Sequence, residues 1–441
     1  MSQNAIVLPT SGTISGLQMT QATNNALDTL NTLASGGSAP ASPEAGQLWH
    51  DTTNNLLKIR SLDNTTWVPF LQLNETAYAA LPYFPAQITG NVNRIINAAM
   101  AIDQVNEGAA YSVPATNSPI YSLDQWIAAC ESSTATGITT QRVSDAPAGF
   151  SNSLKVTVGT GASSVGATDF LLLSQRIEAN NLSDLNYGTS NAAPVSISFW
   201  VKSSVTGTFA VALQNAPAYG RSLVQKFTVT TAGVWQLITL PLIPGDQAGT
   251  WNNSGVNAGL EVFIGIAAGS TYQTSSLNAW AGTTAFGSTS QTNGVLTTTS
   301  ATFQITGVML NPGPFCLPFE TRSVQQDLAL CQRYYEKTFN TGVAVAQNAG
   351  IGTGEIFILS NNTSAAVNYF LWQFATRKRT AATAVTYNPA AANANWRDTT
   401  TSADKTAAAL TPTEWCAGFY VNATTALSDN LRIHITANAR L

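Results

Sequence analysis

The residues best suited to chemistry are aromatic and amide side chains in segments rich in Gly, Ser, Thr and Asn, where an aromatic ring has little local reason to be buried. A sugar ring stacks its apolar C–H face on an aromatic ring, and a neighbouring amide hydrogen-bonds the sugar hydroxyls. In the alternative interpretation, these aromatics hold a long loop in place or lie at a subunit interface. The candidate glycan-binding residues are Tyr219, Trp251, Asn252, Tyr272 and Trp280.

Catalytic chemistry has less support from the residue pattern. A glycosidase needs two carboxylates in opposed environments, and the carboxylates of this chain are scattered with no motif around them. A serine hydrolase needs a histidine, and His434 lies in an alternating strand, where a structural role is expected. We therefore predict no catalytic residue and no enzymatic activity. The carboxylates weighed are Asp169, Glu178, Asp184, Asp246 and Glu261.

Metal-binding chemistry has few ligands to draw on. The two histidines, His50 and His434, are remote in sequence, and the four cysteines are far apart with no CxxC pair. We expect no metal and no cofactor, and we interpret the cysteines as free, mostly buried thiols of a protein made in a reducing cytoplasm. These cysteines are Cys130, Cys316, Cys331 and Cys416.

The low charge of the chain and the lack of a long apolar run argue against two classes of partner, nucleic acid and membranes. Only 10% of its 441 residues are charged and the net charge is -4, so no basic surface for nucleic acid is expected. The one basic run, at 377–379, is interpreted as an exposed strand end or turn. No apolar run of about 18 residues is present, which argues against membrane insertion. Residues 1–22 lack the basic start and the apolar block of a signal peptide.

The first 44 residues are interpreted as an extended arm, a short helix and a linker. Between 18 and 34 the apolar positions recur at spacings of three and four, a weak heptad-like phase that suits a helix inside an oligomer. The Gly-, Ser- and Pro-rich stretch at 36–43 predicts the linker.

Residues 45–114 are interpreted as a small β-meander followed by a helix that together promote oligomerisation. Short alternating segments separated by Asx-rich turns over 45–70 predict the meander. The apolar positions of 91–104 fall at helical spacing and predict the helix. The meander has too few residues to bury its Trp and Leu side chains alone, so packing against another copy is expected.

Residues 115–322 are predicted to form a jelly-roll β-sandwich, which makes the fold class mainly β. Many segments alternate apolar and polar residues, and Gly and Asn turns separate them. The Gly-, Ser- and Thr-rich stretch at 245–299 predicts large surface loops. The eight predicted strands are 153–158, 170–177, 195–202, 209–214, 223–230, 235–242, 260–266 and 301–310.

A bridging helix at 323–335 is predicted to connect the sandwich to a small C-terminal β-sandwich at 336–441. Ser323 followed by Gln326 is the signature of a capping box at the start of a helix. The predicted strands of the last domain are 354–359, 366–375, 383–387, 414–421 and 431–436.

The stretch 305–335 resembles a recurrent module of phage and prophage tail-fibre-like proteins. The similarity lies in ITGVMLNPG at 305–313, PFETR at 318–322 and LALCQRYY at 328–335. The piece ISFWVK at 197–202 looks like part of the same module, and the N-terminal EAGQLWHDTT at 44–53 is similar to a short tail-fibre repeat. This copy departs from the module after Leu310, where a charged residue is common and Asn311 and Pro312 stand instead.

The resemblance implies a carbohydrate-binding-module-like jelly roll whose last strand is followed by a turn, a helix and a small β domain. It also implies a homotrimeric fibre on the virion, with residues 1–44 as the anchor that contacts other virion proteins. The expected function is attachment to a host-surface polysaccharide. The alternative is a purely architectural protein, a head decoration, head fibre or tail linker without host contact.

Overall fold

Alternating apolar residues along many short segments produce a fold of antiparallel sheets, seen here in a computed structural model. The structure describes residues 15–31, 34–72, 81–82, 92–360, 367–422 and 428–441. The chain divides into two compact units, Met1–Asn91 and Val92–Leu441. Residues 92–114 therefore belong with the sandwich and not with the preceding meander.

The first unit contains one helix and one small sheet. Helix α1 spans Gly16–Asn31, and Ser15 stands before it, its hydroxyl accepting from the Gln18 amide at 3.2 Å. The sheet has the antiparallel order β1-β2-β3-β4, which confirms the predicted meander and extends it. The extended arm lies largely outside the described residues. The strands are β1 Leu48–Asp51, β2 Leu56–Arg60, β3 Trp67–Gln72 and β4 Leu81–Pro82.

The meander is held by a compact polar and aromatic cluster. Trp49 is buried, its ring lies edge-on to Trp67 at 5.3 Å, and the Lys58 ammonium lies 4.7 Å above it. The same ammonium donates to Asp51 at 2.7 Å. Burial raises the pKa of Asp51, but the bonds from Asn54 and Lys58 outweigh it, so the net shift is downward.

The second unit begins with the jelly-roll sandwich, and all eight strands predicted for it are confirmed. The sequence pattern missed β5 to β8 and the two-residue strands β16 and β17. Of these, β7 is buried on both faces and shows no alternation. A four-residue helix α2, Gly294–Thr297, precedes the last strand. The strands are β5 Tyr111–Ser112, β6 Ile120–Leu123, β7 Trp126–Glu131, β8 Thr139–Val143, β9 Ser153–Thr157, β10 Phe170–Glu178, β11 Val195–Ser203, β12 Gly207–Asn215, β13 Ser222–Val229, β14 Gln236–Ile243, β15 Ala258–Ala268, β16 Gln273–Thr274, β17 Gly287–Ser288 and β18 Thr302–Pro312.

Two six-stranded antiparallel sheets enclose the main core. The sheet with order β13-β12-β15-β10-β7-β6 is called the front sheet, and the one with order β14-β11-β18-β9-β8-β5 the back sheet. The core between them holds fully buried aromatic side chains, including Trp126, Phe199, Phe209 and Phe303. Burying such side chains contributes most of the stability of a sandwich of this size.

The helix predicted over 91–104 is wrong, because no helix forms in the described part of that range. Asn93 donates from its amide to the Val308 carbonyl at 2.9 Å and accepts from the Leu310 amide at 3.0 Å. Asn97 and Met100 have positive φ, which an α-helix cannot accommodate. Side-chain bonds to the sandwich backbone replace the helical bonds that the apolar spacing predicted.

Helix α3, Val324–Gln332, follows the sandwich and confirms the predicted bridging helix, though it ends earlier than Tyr335. The predicted capping box is present. The Ser323 hydroxyl accepts from the Gln326 amide at 3.2 Å, and the Ser323 amide donates to the Gln326 side chain at 2.9 Å. Tyr335 itself begins the first strand of the last domain.

The C-terminal domain is built around its last strand, β27. This strand pairs with β19, β20, β22 and β23, and a second sheet has the order β21-β26-β25. Trp396, Phe419 and Ile433 are fully buried between them. The strands are β19 Tyr335–Lys337, β20 Ile356–Leu359, β21 Val367–Gln373, β22 Thr383–Tyr387, β23 Trp396–Asp398, β24 Ala403–Lys405, β25 Ala407–Ala409, β26 Cys416–Asn422 and β27 Asn430–Asn438.

The basic run at 377–379 is not uniformly exposed, which corrects the sequence interpretation. The Arg377 side chain is 54% exposed and pairs with Glu414 at the surface. The Lys378 side chain is completely buried and donates to Glu336 at 2.5 Å. Arg379 is half-buried and turns toward the sandwich. All four cysteines are free thiols, as predicted, and burial raises the pKa of Cys130 to about 12.

His434 is a buried, satisfied histidine of β27, as the alternating strand predicted. Its ring lies 3.3 Å from the Thr338 hydroxyl and 2.9 Å from the Thr353 hydroxyl, and it stacks on Phe339. Burial lowers the pKa of His434 from 6.5, although the Glu355 carboxylate opposes this shift. The neutral ring is thus favoured in the folded state.

We expect His434→Gln to flatten the acid side of the stability profile. The folded state binds a proton at this ring less readily than the unfolded chain, so stability is present above the unfolded pKa of 6.5 and falls as the pH drops below it. Urea midpoints measured from about pH 7 to about pH 5 should fall more steeply for the natural chain. His50 is present in both proteins, so its contribution drops out of the difference between the two profiles. Parallel profiles would contradict the assignment.

Candidate functional site

The outer face of the front sheet is the surface from which the candidate site is built. Along β10 the residues Phe170, Leu172, Ser174, Arg176 and Glu178 alternate with core residues and therefore point outward. This face is apolar near the start of β10, at Phe170 and Leu172, and polar toward its end, from Ser174 to Glu178. The two parts have different coverings.

The loop between β15 and β18 covers the apolar part and forms a second small core there. Tyr272 stacks on Phe286 with ring centroids 4.8 Å apart, and its edge meets Phe170 at 5.4 Å. Gly265 permits this approach, because a Cβ there would lie 2.5 Å from the Phe286 carbonyl oxygen. The candidate Tyr272 is therefore a packing residue of this second core.

The polar part is organised around one buried carboxylate, Glu261 of β15. It accepts hydrogen bonds from the Ser174 hydroxyl at 2.7 Å, the Arg176 Nε at 3.0 Å and the Tyr219 hydroxyl at 2.7 Å. Burial and the Glu261 charge raise the pKa of Tyr219, so this phenol stays protonated and keeps donating. These hydrogen bonds to Glu261 fix the positions of the Arg176 and Tyr219 side chains.

Arg333 and Tyr334, which connect α3 to the C-terminal domain, pack on the same face through a second buried carboxylate, Glu178. Arg333 binds it with two parallel bonds of 2.6 and 2.9 Å, and the Tyr334 hydroxyl donates to it at 3.0 Å. Arg379 crosses in the other direction and donates to the Val256 carbonyl of the sandwich at 3.1 Å. Bidentate charged bonds of this kind are among the strongest in proteins.

An open cavity of about 370 Å³ remains between the sandwich and the C-terminal domain. This volume lies at the lower end of the roughly 300–1,000 Å³ usual for small-ligand sites. Its lining contains two guanidinium groups, a phenol and an amide, and no carboxylate side chain. The lining residues are Arg176, Pro217, Tyr219, Asn257, Ala258, Arg379 and Leu441.

The surroundings of the cavity have a surplus of positive charge. Arg176 and Arg333 are paired with Glu261 and Glu178, whereas neither Arg379 nor Arg440 forms an ion pair with any carboxylate in the described ranges. Burial lowers the pKa of Arg379, yet a guanidinium starts so high that it remains charged at neutral pH.

Trp251 and Trp280 pack against each other and are not among the residues that line this cavity. Their ring centroids are 5.2 Å apart, and both rings meet the buried Tyr187 edge-on. The Trp251 indole donates to Asp246 at 3.0 Å, and the Trp280 indole donates to the Pro244 carbonyl at 2.7 Å. Both N–H donors thus hold the 244–258 loop, the role anticipated by the alternative interpretation of these aromatics.

The predicted site residues therefore fall in three places. Trp251 and Trp280 share one cluster, Tyr272 belongs to the second core, and Tyr219 lines the cavity. Asn252 donates to the Ala258 carbonyl at 3.0 Å and supports its own loop.

The sequence interpretation missed Arg176, Asn257 and Arg379, which complete the cavity. Only Arg176 carried a signal in the sequence, since a charged residue inside an apolar strand such as β10 must find a partner.

The carboxylates weighed for catalysis have partners of their own. Asp246 binds Arg221 through two bonds, Asp184 binds Arg94 at 2.5 Å, and Asp169 accepts from the Gly166 amide at 3.0 Å. Within the ranges that the structure describes, no cluster of three or more metal-ligating side chains occurs. Among the described helices, none is both long enough and apolar enough to cross a membrane.

Comparison with known proteins gives matches among solved structures only. No family model matches the chain, and no curated protein matches it. The enzymatically active domain of tailspike protein 4 from bacteriophage CBA120 is similar over 50% of this chain and 21% of its own, with 12% identity and a TM-score of 0.27.

Two carbohydrate-binding modules are also similar. The family 11 module from Clostridium thermocellum matches over 45% of this chain and 95% of its own, with 12% identity and a TM-score of 0.24. A family 30 module matches over 53% and 94%, with 11% identity and a TM-score of 0.25. TM-scores this low carry no functional inference.

Proposed function

We propose that this protein is an attachment protein of a tailed-bacteriophage particle, a fibre-like structural component that binds host-surface glycan without cleaving it. The observation that carries the proposal is the cavity on the outer face of the front sheet, where Arg176, Tyr219, Asn257 and Arg379 converge. A concave site with a few fixed polar groups is the usual form of a small-ligand site. The tail-fibre-like sequence at 305–335 supplies the biological context.

The absence of cleavage is part of the proposal and follows from how the nearby carboxylates are used. Glu261 and Glu178 are each bound by an arginine and a tyrosine, which keeps both carboxylates occupied as acceptors. Glycoside hydrolysis requires one carboxyl group to donate a proton to the leaving oxygen. A carboxylate paired with arginine is poorly suited to that step.

A trimeric arrangement anchored through residues 1–44 completes the proposal. Each weak glycan contact would then be multiplied by the effective concentration of its neighbours. Trp49 is buried within the single chain, but the first unit leaves Leu17, Ile59, Leu62 and Val68 exposed, and these apolar side chains support association with further copies. The homotrimer itself stays a prediction.

Virions that lack residues 115–441 of this protein are expected to assemble normally and to adsorb poorly to their host. The purified protein should bind host glycan and release no reducing ends from it. Normal adsorption by fragile virions would instead favour the architectural alternative. Released reducing ends would contradict the non-enzymatic assignment.

A further inference from the structure

We infer that the cavity between the sandwich and the C-terminal domain binds an anionic saccharide, a sugar ring carrying a carboxylate or a phosphate. The inference rests on the proposed function and names its ligand class. It is based on the two arginines of the lining, on their remaining hydrogen-bond donors and on the lack of an Asp or Glu side chain among the lining residues.

The two guanidinium groups keep donors that the protein does not use. A guanidinium has five N–H groups. The hydrogen bonds of Arg176 use two of them, on Glu261 and the Leu441 carbonyl. The hydrogen bonds of Arg379 use three, on the carbonyls of Val256, Ala439 and Arg440. The remaining donors have the fork geometry that suits carboxylate and phosphate oxygens.

Arg379 forms no ion pair among the described residues, although the charge of the Glu178 carboxylate acts on it from further away. All three of its acceptors are backbone carbonyls, which carry no net charge. Arg440 adds a second positive charge nearby, with its guanidinium 4.5 Å above the Tyr121 ring and 4.1 Å above the Tyr335 ring. An anion entering the half-buried cavity would experience weaker solvent screening than at an open surface.

The rest of the lining suits the ring of a sugar. Tyr219 and Pro217 supply apolar surface, and the exposed Asn257 supplies an amide for hydroxyl groups. The Tyr219 hydroxyl is already bound to Glu261, so its position is set before a ligand arrives. Such preorganisation reduces the entropy that binding must overcome.

The site is composite, because Arg379 and Leu441 belong to the C-terminal domain and the other lining residues belong to the sandwich. The Glu178–Arg333 pair holds the two domains together beside it. An isolated sandwich would therefore lack half of the guanidinium pair. Tests of binding require the full chain.

The test measures binding of the full-length protein to a broad array of polysaccharides that includes neutral, carboxylated and phosphorylated members. Any carboxylated glycan that binds is compared by calorimetry with its carboxyl-reduced form, and any phosphorylated glycan with its dephosphorylated form. We expect the anionic form to bind about 10-fold or more tightly, and increasing salt to weaken it. The two arms distinguish a carboxylate from a phosphate.

Three variants connect binding to the cavity. Arg379→Gln removes the charge that forms no ion pair, and it should lower the affinity for anionic glycans about 10-fold or more. Arg377→Gln is the matched control, since that side chain is exposed two positions away and should bind like the natural protein. Asn257→Asp adds a negative charge to an exposed lining residue. This variant should lower the affinity for anionic glycans while the melting temperature of the protein stays unchanged.

The outcomes separate this inference from the proposed function. Binding of neutral glycans alone, or anionic binding unaffected by both Arg379→Gln and Asn257→Asp, would overturn the anionic site and leave glycan attachment standing. Binding to no glycan on the array would overturn both.

Discussion

Replacing Lys378 with methionine is expected to lower the free energy of unfolding by about 3–5 kcal/mol, the usual effect of removing one partner of a buried ion pair. The Lys378 ammonium is completely buried and donates to the Gln332 carbonyl at 2.6 Å, the Glu336 carboxylate at 2.5 Å and the Thr376 carbonyl at 3.0 Å. Methionine fills a similar volume but leaves a buried carboxylate and two carbonyls without this donor.

Urea unfolding followed by tryptophan fluorescence measures this loss. Arg377→Met is the matched control, because its pair with Glu414 lies at the surface and should be worth only about 0–1 kcal/mol. Adding Glu336→Gln to Lys378→Met should recover part of the stability, since it removes the orphaned charge. Equal losses at positions 377 and 378 would show that the Lys378 site is solvated and would contradict the structure.

Glu178→Gln is expected to lower the free energy of unfolding by about 3 kcal/mol and to weaken the packing of the C-terminal domain on the sandwich. The substitution keeps the side-chain shape but removes the charge that Arg333 binds through two bonds and that Tyr334 contacts. The Glu178 side chain is only 2% exposed, so water replaces these bonds poorly. The lower end of the usual range applies because Arg333 is partly exposed.

Hydrogen exchange adds a regional measurement to urea unfolding. Amides of α3 and of β19 should exchange faster in Glu178→Gln, whereas amides of β11 in the back sheet should change less. Glu414→Gln is the control, since Glu414 makes an exposed pair within the C-terminal domain. Uniform protection in both variants would mean that other contacts hold the domains together. Glycan affinity should decrease in Glu178→Gln alone, because Arg379 loses its fixed position.

Local pattern was sufficient for most of the fold. The alternation of Ser196, Ile197, Ser198 and Phe199 places one apolar face on β11, and the same period identifies many of the strands predicted in the sandwich. The capping box of Ser323 and Gln326 is likewise a local interaction between residues three apart. Strand β7 is buried on both faces, shows no alternation and was missed.

The candidate site depended on contacts between residues far apart in the sequence. Arg176 and Arg379 meet only because the C-terminal domain packs on the front sheet, and nothing in their neighbourhoods along the chain indicates that packing. Trp251 and Trp280 lie in the same kind of sequence context as Tyr219. In the fold, however, their indoles donate hydrogen bonds to the 244–258 loop, whereas Tyr219 lines the cavity.

By itself, the sequence determined the mainly β class, the positions of most strands and the bridging helix, because these depend on periodicity and on bonds between near neighbours. Only the tertiary structure decided the fate of each residue in the 377–379 run, the loss of the helix expected at 91–104 and the composition of the cavity. Those outcomes depend on which distant backbone carbonyl or carboxylate each side chain meets, as Lys378 and Asn93 show.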